Sequence, residues 1–355
     1  MPAYSPRIVD GELRELLESA GAVVIEGPKA CGKTMTASQQ SASRVLLDID
    51  QAARQALAVE PRLVLEGARP RLLDEWQVAP ELWNQVRRAV DASEQPGQFL
   101  LTGSAVPAED VSRHTGAGRF GFLRMRPMSL FESGVSNGAV SLRQLFAGEV
   151  QTVADPGLSV QDLAALIARG GWPAQQGRPL KAASRAARDY LEQVRQVDIS
   201  RVDRRRDPAR VGALLRSLGR HCATEARLST LAADVALDER TVTDYLQALE
   251  QLMVIEDQPA WAPHLRSRAR LRKAPKRHFV DPSLALAASG AAAERLLEDF
   301  EWFGQLFESL VIRDLRVLSQ PLEGEVLHYR DDYGVEADAI VQLRDGRWGA
   351  IEIKL

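Results

Sequence analysis

The chain of 355 residues is longer than one ordinary domain, and about two or three are expected. Its 45% hydrophobic and 26% charged residues are the balance of a soluble globular protein. A net charge of −3 leaves no global basic field to advertise a nucleic-acid partner, so such a partner must be read from local patches. Cys31 and Cys222 supply neither a disulfide framework nor a cysteine zinc site, which fits a reducing cytoplasm. His221 beside Cys222 reads as packing. The N-terminus lacks a basic segment followed by an apolar core, so no signal peptide is expected. No stretch approaches the roughly 18 to 20 apolar residues that cross a bilayer, and a cytoplasmic location without membrane contact is expected.

Leu13, Leu16, Leu17 and Ala20 recur at helical spacing and predict an amphipathic helix. The apolar run Ala22-Val-Val-Ile25 then predicts a buried strand. After it, Gly27, Pro28, Lys29, Ala30, Cys31, Gly32, Lys33 and Thr34 fit G-x-x-x-x-G-K-[ST] at every fixed position. A plausible helix follows from Met35 to Gln40. Strand, glycine-rich loop and helix together make a P-loop: the backbone wraps phosphates, and the helix aims its N–H groups at them. ATP is the expected ligand, with Lys33 on the β- and γ-phosphates and Thr34 on Mg²⁺.

Val45-Leu-Leu-Asp-Ile49 predicts a second strand. Arg71-Leu-Leu-Asp74-Glu75 has the form of a Walker B strand, with two carboxylates emerging at its end. Asp74 is expected to hold Mg²⁺ through water, and Glu75 to orient or deprotonate the attacking water. From Pro80 to Asp91, Leu82, Val86, Ala89 and Val90 share one helical face. Phe99-Leu-Leu-Thr102-Gly103-Ser104 predicts a central strand beside Walker B, with Ser104 or Thr102 near the γ-phosphate. His114-Thr-Gly-Ala-Gly-Arg119-Phe is a glycine-flanked arginine loop. It nominates Arg119, or Arg113, to stabilise charge at the γ-phosphate, in cis or from a neighbouring subunit of a homo-oligomer.

Together these residues resemble a family of bacterial and archaeal AAA-type ATPases whose C-terminal part is known as DUF4143. The resemblance is carried by the P-loop, Leu-Leu-Asp-Glu-Trp-Gln77, Leu-Thr-Gly-Ser104, Gly118-Arg119 and Leu-Arg-Met-Arg-Pro127-Met-Ser-Leu-Phe-Glu132. Gly170-Gly-Trp-Pro173, Phe279-Val-Asp281-Pro and Glu352-Ile-Lys354 extend it along the chain. It implies an α/β fold with a parallel-sheet ATPase domain over residues 1–150. A helical lid or connector over 151–207 follows, then a winged-helix-like domain over 208–278 and a small nuclease-like domain over 279–355. Trp76 departs from the family, which more often has an aliphatic residue there, and is expected to alter packing and not chemistry.

The middle of the chain also reads without that resemblance. Residues 158–169 and 180–200 predict helices, the second with Ala183, Ala187, Tyr190, Leu191 and Val194 on its buried face. Arg201, Arg204, Arg205 and Arg206 follow in a charged linker. Val211, Leu214, Leu215 and Leu218 mark another helix. Ser229 is expected to cap the helix to Val235, and Glu239 to Glu250 carries Val242, Tyr245, Leu246 and Leu249 as a stripe. Two helices joined by a tight turn read as a helix-turn-helix, with Arg240, Thr241, Thr243 and Asp244 facing a major groove and a wing starting at Val254. Arg266, Arg268, Arg270, Arg272, Lys273, Lys276 and Arg277 form a basic run without an acid, the expected contact to DNA phosphates.

At the C-terminus, a helix carrying Glu308 precedes a strand-like run, Val326 to Arg330, and then two strands with Asp338 and Glu352-x-Lys354. This spacing resembles the PD-(D/E)xK nuclease core. There Glu308, Asp338 and Glu352 would bind Mg²⁺ and Lys354 would orient or activate water. The chain stops one residue after Lys354, where this fold ordinarily continues, so either the chain is truncated or the module is incomplete. The sequence thus predicts a Mg²⁺-dependent ATPase acting on, or regulated by, DNA. Two rivals stand beside it: a nucleotide-gated binding switch with little turnover, and an ATP-gated metal-dependent nuclease.

Overall fold

The computed structural model describes residues 4–93, 95–103, 116–149, 157–199, 207–264, 273–331 and 333–355. They form two compact units, Met1–Arg126 and Pro127–Leu355.

In the first unit, α1 (Val9–Ser19) leads into β1 (Ala22–Glu26), and α2 (Lys33–Gln40) starts at the end of the P-loop. There follow β2 (Ser43–Leu46), α3 (Gln51–Val59), β3 (Arg71–Asp74), α4 (Leu82–Ser93), β4 (Phe99–Gly103) and β5 (Phe120–Arg124). All five strands are parallel, in the order β2-β3-β4-β1-β5. Helices or loops cover both faces, so β1 is a continuous apolar run with no polar alternation. Its side chains still alternate in direction. Ala22 and Val24 pack with Trp83, Val86 and Val90 of α4 on one face. Val23 and Ile25 pack with Val9 and Leu13 of α1 and Ala37 of α2 on the other. Trp76 fills the first of these cores, its ring 5.2 Å from that of Trp83, which stacks in turn on Phe120 at 4.1 Å.

The parallel register sets the site. Asp74 at the end of β3 lies opposite Thr102, and Glu26 at the end of β1 lies opposite Gly103. The P-loop, the Walker B carboxylates and the polar end of β4 thus share one edge of the sheet.

The second unit contains α5 (Leu142–Phe146), α6 (Val160–Arg169), α7 (Leu180–Gln193), α8 (Pro208–Arg220), α9 (Leu228–Val235) and α10 (Glu239–Gln251). It continues with α11 (Pro282–Ala288), α12 (Phe300–Ser319), and the antiparallel sheet β6 (Glu325–Arg330), β7 (Glu336–Gln342) and β8 (Trp348–Ile351). A π-helical turn, Val194–Asp198, prolongs α7. The turn between α9 and α10 places Ala236 at φ 53°, and Asp238 caps α10 through the Thr241 N–H. Ser229 is not the cap of α9; that position belongs to Arg227, which makes no side-chain cap bond. After α10, bridges Ile255↔Phe279 and Gln258↔Lys276 join two antiparallel segments. Residues 127–149 belong to this unit and not to the first. The Met128 N–H donates to the Gly171 carbonyl, and the Leu130 N–H donates to Asp314 at 2.9 Å. Among the described residues no helix is long and apolar enough to cross a membrane.

Three segments remote in sequence meet at Asp281, the N-cap of α11. One carboxylate oxygen accepts from the Ser283 N–H and hydroxyl. The other accepts from the Gly171 N–H at 2.8 Å and from Arg313 of α12 at 2.9 Å. Arg313 also pairs with Asp314, and both Asp281 and Arg313 are buried. Removing the cation from such a group leaves two carboxylates uncompensated. Arg313→Met should cost about 3–5 kcal/mol of stability, read as a lower denaturant midpoint of the second unit.

Candidate functional site

Two left-handed residues shape the P-loop, Ala30 at φ 61° and Gly32 at φ 107°. Such a φ is cheap for glycine and turns the loop directly into α2, so N–H groups at the start of the helix face the loop's hollow. Lys33 is buried, and its ammonium donates to the carbonyls of Gly27 and Pro28, each at 2.8 Å. Arg7, ahead of α1, braces the loop from behind. Its guanidinium donates to the Cys31 carbonyl and to the Arg126 carbonyl, each at 2.8 Å. Spacing alone did not nominate Arg7, because the two carbonyls it joins are distant in sequence.

At the neighbouring strand ends, the Thr34 hydroxyl donates to Asp74 Oδ1 at 2.8 Å. The Thr102 hydroxyl donates to the same oxygen in a very short contact. Asp74 and Thr102 are both buried. Thr102 is therefore the polar residue of β4 that the structure joins to Walker B; Ser104 lies outside the described residues. Glu75 follows in a left-handed conformation, φ 53°, which turns its side chain off the line of the strand. Burial raises its pKa above the ordinary carboxylate value, and the charges of Asp74 and Asp48 push the same way. A hydrogen bond from Gln77 and the charge of Lys33 pull against them.

The donor set fits Mg²⁺. The Thr34 hydroxyl lies 2.8 Å from an Asp74 carboxylate oxygen beside a loop built for phosphates, and hard oxygen donors of this kind would suit that ion. A P-loop ion needs no cage of protein carboxylates. Accordingly, among the described residues no group of three His, Cys, Asp or Glu is arranged for a metal.

Arg119 is not part of this edge in cis. Its carbonyl accepts from the Ala22 N–H, at the start of β1, and its guanidinium pairs with Asp91 at 2.8 Å. The five residues of β1 separate it from the P-loop by roughly 16 Å. A loop that enters a parallel strand delivers its residues to the edge opposite the phosphates. Arg124, opposite Glu26 at the far end of β5, is on the P-loop's edge. Arg113 and His114 lie outside the described residues.

Two of the carboxylates expected to form a nuclease site enclose a lysine. The Lys276 ammonium lies between Glu308, at 2.7 Å, and Asp338, at 3.5 Å. The second oxygen of Asp338 accepts from the Ile353 N–H at 2.7 Å. Glu352 lies beyond β8, with a side chain 71% exposed, and pairs only 2.6 Å away with Lys354. A protein cation thus stands where the metal was expected, and Lys354 faces solvent. The basic run changes meaning with it: Lys276 is engaged, Arg277 pairs with Asp257, and Lys273 donates to the Arg330 carbonyl. Arg266, Arg268, Arg270 and Arg272 lie outside the described residues, as do Arg201, Arg204, Arg205 and Arg206. The exposed face of α10 carries Glu239, Arg240, Asp244 and Glu250, a net acidic set.

Burial pushes Glu308 up to about 7. Its folded pKa lies above the unfolded value, so its contribution to stability is complete below about pH 4.5 and is lost as pH rises through about 7. Glu308→Gln should remove that component, flattening the fall in melting temperature across this range; an unaltered slope would assign the proton elsewhere.

Residues 19–133 match the family described as AAA domain (AAA_14). Residues 303–355 match the domain of unknown function DUF4143, and residues 160–296 match another, DUF8612. The DUF4143 match thus covers the terminal module from Phe303 on, while DUF8612 runs across the connector and the helix-turn-helix segment to residue 296. Uncharacterized proteins of Mycobacterium tuberculosis and Mycobacterium bovis are each 26% identical over 351 residues, covering 96% of this chain and 72% of the relative. Among solved structures, a Walker-type ATPase of Pyrococcus abyssi aligns with a TM-score of 0.46 at 15% identity, over 79% of this chain and 94% of that one. The P-loop and Walker B edge lie inside the first match and the terminal sheet inside the second, which supports an AAA-type P-loop ATPase with a C-terminal DUF4143 region.

Proposed function

We propose that the first unit binds Mg²⁺-ATP and hydrolyses it at the shared edge of β1, β3 and β4. The observation that carries this reading is the convergence of the Thr34 and Thr102 hydroxyls on Asp74, beside the P-loop and directly before Glu75. Backbone N–H groups of the loop and of the start of α2 bind the phosphates. Lys33 exchanges the Gly27 and Pro28 carbonyls for β- and γ-phosphate oxygens. Thr34 and Asp74 would hold Mg²⁺, which would supply positive charge to offset that developing on those phosphates. Glu75 accepts a proton from the attacking water, and a carboxylate whose basicity is raised by burial suits that task. A pure nucleotide switch has no need of such a base, so turnover is preferred to switching.

In this reading DNA is a regulator or substrate of the cycle. Its docking rests on Arg266, Arg268, Arg270 and Arg272, since the other three basic residues of the run are engaged within the second unit. The acidic exposed face of α10 opposes close phosphate approach.

Lys33→Ala should abolish ATP binding measured by calorimetry. Glu75→Gln should retain binding while its steady-state turnover falls about 10²- to 10⁴-fold; wild-type turnover in that variant would sink the assignment of the base. Neutralising Arg268, Arg270 and Arg272 together should weaken duplex binding and flatten its dependence on salt. An unchanged slope would take these arginines out of any DNA interface.

A further inference from the structure

Gln77 lies two residues beyond Glu75, in the 3-10 turn Trp76–Val78. Its side-chain amide donates to Glu75 Oε2 in a very close contact. Among the described residues this is the one hydrogen bond to the Glu75 carboxylate, and it leaves Oε1 open. The other end of the amide is unusual. Gln77 Oε1 is buried and accepts from no donor among the described residues. It lies against Gly103, where a Cβ would collide with it. Gly103 has no left-handed φ, so glycine is needed there for room and not for backbone freedom. A buried acceptor without a donor is unfavourable. A side chain held that way is held for its other end, the N–H that reaches Glu75.

The backbone supports the same arrangement. Glu75 occupies the left-handed region, which is strained for a residue with a side chain and persists only where the surroundings impose it. The turn that follows is closed by the Val78 N–H donating to the Glu75 carbonyl at 3.0 Å. The same turn carries Gln77 back over the carboxylate it has just displaced from the strand.

We propose that Gln77 is a positioning residue for ATP hydrolysis: its amide holds one oxygen of Glu75 so that the other faces the attacking water, and Gly103 leaves the space in which that amide sits. The proposal rests on Glu75 being the base. In the step it serves, a water O–H bond breaks and the proton passes to Glu75 Oε1. The water oxygen bonds to the γ-phosphorus as the bond from that phosphorus to the β–γ bridging oxygen breaks, and ADP leaves. Gln77 exchanges no proton; it removes the rotational freedom of the carboxylate.

The test is a double-mutant cycle on the full chain, with single-turnover hydrolysis and ATP affinity measured side by side. Gln77→Met keeps length and bulk but loses the donor. It should lower kcat by roughly 10- to 100-fold with ATP affinity unchanged. In a Glu75→Gln background it should have no further effect, because there is no carboxylate left to orient. Gly103→Ala, which places a methyl where Gln77 Oε1 lies, should reproduce the loss of kcat from the opposite side. Unchanged kcat in Gln77→Met, or the same fold-loss with and without Glu75, would overturn the role of Gln77. Normal turnover in Glu75→Gln alone would instead overturn the assignment of the base, so the two failures are told apart.

Discussion

The nucleotide edge depends on one carboxylate oxygen. Asp74 Oδ1 receives hydroxyl hydrogen bonds from Thr34, at the start of the P-loop helix, and from Thr102, on the adjacent strand. Those donors come from segments 40 and 28 residues away in sequence. They meet because β1, β3 and β4 run parallel and end together, so whatever follows each strand is delivered to the same side. The same rule removes Arg119 from this edge in cis. It precedes its strand and therefore sits at the opposite edge, balanced by Asp91.

Burial gives this edge its chemistry. Inside the protein a hydroxyl–carboxylate bond is stronger than in water, and an unpaired charge is costlier. Asp74 is kept paired, while Glu75 is displaced from the strand by a left-handed backbone and held by one amide. Two adjacent carboxylates thereby acquire different surroundings and different tasks. One is tied into the sheet, and the other keeps an oxygen open.

The second unit meets the same problem of buried charge with internal cations. Arg313 neutralises Asp281 and Asp314 where the segments around Gly171, Asp281 and α12 come together. Lys276 neutralises Glu308 and Asp338 beside the terminal sheet. In both places the acids hold the fold. A letter pattern shared with metal nucleases becomes, with an ammonium between two of its carboxylates, a set of ion pairs.

The sequence by itself determined the P-loop, its strand and helix, the Walker B carboxylates, the helix pair around Asp238 and the three C-terminal strands. Each of these is local. Glycine spacing, apolar runs, caps and alternation act over a few residues, where chain geometry leaves little choice. The tertiary structure alone decided which polar groups share an environment. Gln77 reads as a residue in a motif until β4 brings Gly103 against it, and Lys276 reads as a DNA contact until Glu308 and Asp338 enclose it. Arg119 reads as a phosphate ligand until the strand order fixes its edge. A side chain's charge is written in the sequence, but its partner depends on which distant segments the core brings within a few ångströms. That choice belongs to the packing of the whole sheet and not to any stretch of chain.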